Sequence, residues 1–88
     1  MNEVSKLLND AADVLVSSGW CQGYYNDDQG RHCLVGALYQ AVDQNYEIVI
    51  EAKERVRCYL GLNPFSWNDA KGRTQKQVVD VLRSAAQL

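Results

Sequence analysis

Three cysteines and the only histidine are the side chains of this sequence best suited to chemistry: Cys21, His32, Cys33 and Cys58. Structural zinc sites usually take their ligands as close pairs such as Cys-x2-Cys, so that two leave one turn together. Here the only close pair is His32-Cys33, whose adjacent side chains diverge, so neither a metal nor another cofactor is expected. Cys33 could instead serve as a nucleophile, because it stands near the start of an expected helix whose dipole favours the thiolate. That role needs a base and an orienting group. His32 does not face its neighbour on regular backbone, so an enzyme would require folding to bring Asp69 or His32 to Cys33. A thiol packed as a small apolar group beside Gly36 accounts for the same residues. The sequence also lacks a Walker loop, a nucleophile elbow and a metalloprotease motif. The chain is therefore read as a non-enzyme.

Binding chemistry concentrates in Asn68-Asp69-Ala70-Lys71-Gly72-Arg73-Thr74, which places two cations and a glycine just before an expected helix N-terminus. Such an end offers free amides and a partial positive charge to a phosphate or carboxylate. Candidate ligand-binding residues are Trp67, Asn68, Asp69, Lys71, Arg73 and Thr74. The same residues also make an ordinary turn and cap, with Arg73 paired to Asp69 and Thr74 serving the helix. Tyr24, Tyr25, Tyr39 and Tyr46 are candidates for protein contact, since tyrosine suits interfaces. Trp20 and Trp67 are expected to be largely buried pegs in one half of the core, with Gly36 beneath them.

The elements that must position these groups come from a chain of 88 residues, read as a single domain over 1–88. Hydrophobic residues at 47% and charged ones at 23% exclude disordered and low-complexity classes. A net charge of -2 argues against nucleic acid or a membrane surface as partner, both of which need a strong positive face. No apolar run approaches the ~18 residues of a membrane helix. The start is not a basic region followed by an apolar one, and the cysteines are odd in number and spread out. A cytoplasmic protein with reduced thiols is expected.

Val4, Leu7, Leu8, Ala11, Val14 and Leu15 form one helical stripe, predicting a helix over about residues 3–17 that ends at Gly19. Trp20 to Arg31 has strand-forming aromatics and then turn formers, predicting a small β-hairpin or ordered loop. A tip at Asp27 would set Cys21 opposite Cys33; a tip at Gln29 would not. Leu34, Val35, Leu38, Ala41 and Val42 predict a second helix, in which Gly36 implies close approach of another backbone. A third, capped by Asp43 or Asn45, carries Tyr46, Val49, Ala52, Val56, Tyr59 and Leu60 on one side and a Glu51–Arg55 pair outside. It ends at Gly61, with Leu62 folding back on Val56. Asn63 to Arg73 reads as a loop. Thr74 and Gln77 form a capping box for a last helix with Val78, Val81, Leu82, Ala85 and Leu88 on its apolar side. The fold class is mainly α: a compact four-helix domain with one small β-hairpin or ordered loop.

Three stretches in this order and spacing resemble an uncharacterised family of short actinobacterial and phage proteins, domain of unknown function 6197. They are Gly19-Trp20-Cys21-Gln22-Gly23, then Cys33-Leu34-Val35-Gly36-Ala37-Leu38, then Trp67-Asn68-Asp69-Ala70 with Gly72-Arg73-Thr74. The resemblance implies no activity and no functional residues, and Lys71 departs from a position often held by proline. It suits a phage-borne or accessory protein in the host cytoplasm. The leading functional reading is a non-catalytic binding module acting on a host protein, with homo-oligomerisation a related expectation. The alternative is a binder or sequestering protein for a small nucleotide-like anion. A cysteine-dependent enzyme comes third.

Overall fold

A computed structural model describes residues 2–88. Five helices follow in order: α1 (Glu3–Ser18), α2 (Leu34–Ala41), α3 (Glu47–Leu60), α4 (Pro64–Asn68) and α5 (Gln75–Ala86). Four are the helices that the apolar spacing predicts. α1 lies at the centre and packs against α5, α2 and α3. Its buried Val4, Leu7, Leu8, Ala11 and Leu15 are the predicted stripe. They meet Leu34, Val35 and Leu38 of α2, Val49, Ala52 and Val56 of α3, and Val78, Leu82 and Ala85 of α5.

Local chemistry sets most helix ends. The Asn2 side chain accepts from the Ser5 amide to start α1, and Gly19 ends it at φ 98° with its amide on Leu15. Thr74 and Gln77 form the expected reciprocal capping box on α5. The α3 start departs from expectation. Tyr46 holds the cap position with no side-chain bond, so neither Asp43 nor Asn45 caps. Gly61 takes the left-handed conformation that ends α3, but Leu62 stays exposed and does not fold back. Tyr46 and Tyr59 are exposed rather than core, as is Leu88. Arg55 does not pair with Glu51; it crosses to α1 and donates to Ser5 Oγ at 2.8 Å.

The segment read as a loop after Asn63 contains α4. The Asn63 side chain accepts from the Phe65 amide at 2.8 Å, and Pro64 occupies the first turn, where its missing N–H costs nothing. Between α1 and α2 the chain is an ordered loop rather than a hairpin. His32 forms one parallel bridge with Trp20 and one antiparallel bridge with Asn26. Asp27 faces Arg31 and Tyr25 faces Cys33 through backbone bonds of 3.0 Å, so the tip centres on Gln29. Cys21 therefore lies beside His32, its amide on the His32 carbonyl, rather than opposite Cys33.

Candidate functional site

The N-terminus of α2 is where the chemistry-bearing residues converge. A helix start leaves donors without intrahelical partners, and here tertiary groups take them. The Cys33 amide donates to the Tyr25 carbonyl at 3.0 Å, and the Leu34 amide donates to Asn68 Oδ1 at 3.0 Å. The Gly36 amide donates to Cys33 Sγ at 3.3 Å, so the thiol acts as a helix cap. Gly36 has a local steric reason: a Cβ there would overlap the Tyr25 carbonyl. The close backbone approach expected at Gly36 is present, but its partner is Tyr25 and not the tryptophans.

Asn68 joins the two irregular segments to this helix end. It is 1% exposed, and its side chain fills its full bonding capacity. Oδ1 accepts from Trp20 Nε1 at 2.7 Å and from Leu34. Nδ2 donates to the Cys21 carbonyl at 3.2 Å and to Asp69 Oδ1 at 2.9 Å. Around it, Gln22 Nε2 donates to the Asn68 and Ala70 carbonyls, each at 3.0 Å, and the Gly23 amide donates to Asp69 Oδ1 at 3.0 Å.

Arg73 does not pair with Asp69, because Asp69 is held by Gly23 and Asn68. The guanidinium lies over the Trp67 ring, 3.9 Å from its centroid, and Nε donates to the Trp67 carbonyl at 2.9 Å. Thr74 spends its hydroxyl on the capping box. Trp20 and Trp67 both pack against the core with most of their surface covered, as expected of largely buried pegs. Of the six ligand-binding candidates only Lys71 is exposed with no bonded partner among the described residues.

The thiols are placed as packing groups. Cys33 is 3% exposed, and burial pushes its thiol above the ordinary value more than the Gly36 and Val35 amides lower it. Burial raises the Cys21 thiol as well, reinforced by the Asp27 carboxylate. His32 Nδ1 is hydrogen-bonded to Asn26 Oδ1. Cys58 is exposed on α3 beside Glu54 and Arg57. Among the described residues no three His, Cys, Asp or Glu side chains gather where they could hold a metal, and no helix is long and apolar enough to cross a membrane.

The surface beside this junction is aromatic. Phe65 meets Tyr25 edge to face with ring centroids 5.4 Å apart, and Tyr25 meets Tyr39 in the same way at 6.0 Å. Tyr39 lies 6.5 Å from Tyr46 at a tilt of 34°. Lys53 Nζ stands 5.8 Å from the Tyr39 centroid. Three of the four tyrosines singled out by sequence thus form one row, and Phe65, delivered by α4, completes it. Sequence gives no sign of Phe65's place, because the five residues of α4 are too few to show a helical period. Tyr24 is exposed but makes no ring contact with the row.

Residues 1–88 match a single family throughout. The chain belongs to a family of unknown function (DUF6197). No curated protein and no solved structure matches it. In this DUF6197 member the three stretches that carry the resemblance lie far apart in sequence and meet at Asn68 and the start of α2. Together they build the junction that bonds Asn68 to Trp20, Cys21 and Leu34.

Proposed function

We propose that this DUF6197 protein is a non-catalytic binding module that engages a host protein through the row Phe65, Tyr25, Tyr39 and Tyr46. One observation carries the reading: four rings in successive contact remain 37%, 52%, 41% and 60% exposed in that order. Clustered exposed rings are costly to leave in water, and tyrosine-rich patches are typical of interface cores. The row is also anchored through the backbone, since the Tyr25 carbonyl accepts from the Cys33 amide and Phe65 lies in α4. The raised thiols at Cys21 and Cys33 favour a binding role over cysteine chemistry. The reading as a binder of nucleotide-like anions has less support, because Arg73, Asp69 and Thr74 are engaged within the protein.

Affinity capture from a host lysate tests the proposal. The tagged wild-type chain should retain a stoichiometric protein, identified by mass spectrometry. A Tyr39→Ala variant with unchanged circular dichroism should lose it. Retention of that protein by both chains, or co-purification of a small molecule alone, would sink the reading.

A further inference from the structure

Tyr24 and Asp69 have no part in the aromatic row, yet they share a pocket beside it. That pocket of about 220 Å³ is lined by Gly23, Tyr24, Tyr25, Cys33, Phe65 and Asp69. Half of these residues are aromatic, and Tyr25 and Phe65 meet at 87°, so a guest against both rings is walled on two sides. Asp69 is the charged group of the lining. Its Oδ1 accepts from the Gly23 amide at 3.0 Å and from Asn68 Nδ2 at 2.9 Å, which fixes the carboxylate. Its Oδ2 accepts no hydrogen bond, and the carboxylate forms no ion pair, among the described residues. Arg73, expected from sequence to neutralise it, is spent on Trp67 instead. The pocket therefore sets a fixed negative charge without a counter-ion among aromatic rings.

We infer that this pocket binds an N-methylated ammonium group, an inference that does not depend on the row's having a protein partner. The faces of aromatic rings carry partial negative charge and attract cations. The Asp69 carboxylate adds to that attraction and repels anions. A divalent metal fits poorly, because calcium and magnesium surround themselves with oxygen ligands and one carboxylate lines the pocket. An unsubstituted ammonium such as that of lysine is strongly hydrated, and exchanging water for rings forfeits its hydrogen bonds. Methylation keeps the charge, removes N–H donors and adds apolar surface. Rings beside a carboxylate match both the charge and the apolar surface. Size agrees as well: a cavity of about 150 Å³ holds benzene, and a trimethylammonium head is smaller than benzene. The same chemistry is carried by a free choline-like amine and by a methylated lysine side chain of a partner protein.

Two-dimensional amide NMR of the full chain tests this with three probes: choline chloride, the neutral tert-butyl analogue of choline, and a capped glycyl-trimethyllysyl-glycine peptide. Choline should give saturable shifts centred on Gly23, Tyr24, Tyr25 and Asp69 that equal sodium chloride does not give. The neutral analogue keeps the shape without the charge and should bind about tenfold more weakly. Asp69→Asn, which keeps Oδ1 as acceptor for the Gly23 amide, should lose choline affinity by a similar factor. Tyr24→Leu should weaken choline severalfold, and it should keep its fold because Tyr24 is exposed and makes no ring contact. Equal affinity for choline and the peptide assigns the pocket to a free amine. A peptide bound about tenfold tighter assigns it to a partner's methylated lysine. Absence of shifts with both cations, equal binding of the neutral analogue, or choline binding unchanged in both variants overturns the inference. Tyr39 does not line the pocket, so Tyr39→Ala should leave choline binding intact while losing the captured lysate protein. The two readings therefore fail separately.

Discussion

Asn68 shows how much of the structure can depend on one polar side chain. In sequence it has the appearance of a turn residue, and its Asn-Asp context gives no sign of burial. Its partners Trp20, Cys21 and Leu34 are 34 to 48 positions away, so no local pattern could reveal it. Replacement by leucine, close in volume, removes both acceptor and donor and leaves the Leu34 amide and the Trp20 indole without their partner. Each unsatisfied buried donor costs about 1–3 kcal/mol. Asn68→Leu is therefore expected to lose about 2–4 kcal/mol in urea denaturation, and a loss under 1 kcal/mol would refute the role given to it here. The thiols allow a second test at this scale. Cys33 and Cys21 have native pKa values above the ordinary 9.0. Above about pH 9 the unfolded chain would release thiol protons that the folded chain retains. Fewer protons bound in the unfolded state means stability falls as pH rises. The contribution is intact at pH 7–8 and is lost progressively above pH 9. The loss should shrink in Cys33→Ser, which keeps a cap for the Gly36 amide. At neutral pH iodoacetamide should label Cys58 quickly and the other two only in denaturant.

At the scale of elements, helical periodicity was enough to find α1, α2, α3 and α5, because each buries one stripe at offsets of three and four. It could not find α4, whose five residues are too few for a period. The signal available there was Asn63 followed by Pro64, a cap and a first-turn proline. The aromatic row was half legible. Tyrosines mark contact surfaces by type, but residues 25, 39, 46 and 65 come from four separate segments, and only the fold brings them into line. Gly36 was legible as a close approach, though not its partner. Two glycines separate sterics from backbone freedom. At Gly36, alanine gains about 1 kcal/mol of helix propensity but overlaps the Tyr25 carbonyl, which costs about 3 kcal/mol or more. At Gly61 there is open space but a φ of 72°, so alanine costs about 1–2 kcal/mol. Gly36→Ala should be the more damaging in thermal denaturation, and it should also disturb Tyr25 and hence the row. Equal effects would mean that the loop yields around α2.

The whole molecule combines two kinds of cohesion. One is the apolar core of α1, α2, α3 and α5, with Leu8, Leu15, Leu38 and Leu82 fully buried. The other is the polar junction that fastens residues 20–32 and 63–73 to the α2 start through Asn68, Gln22 and Asp69. A domain of this size has roughly 4–13 kcal/mol of stability in all. The loops contribute few fully buried apolar groups of their own, since Trp20 and Trp67, though mostly covered, keep part of their surface in solvent. Segments with little buried apolar surface open at lower free energy than the core they lie on. Native-state hydrogen exchange should then show the Cys21, Gly23, Arg73 and Leu34 amides opening together, with one shared dependence on urea. Their opening energy should lie below that of amides in the middle of α1 and α5. The two loops are bonded to each other more than to the core, so neither can leave without exposing the other. If these amides instead follow the same isotherm as Leu8 and Leu82, the domain unfolds as one unit and the junction is not a separable layer. If the 20–32 amides open without those of 63–73, Asn68 does not couple the loops.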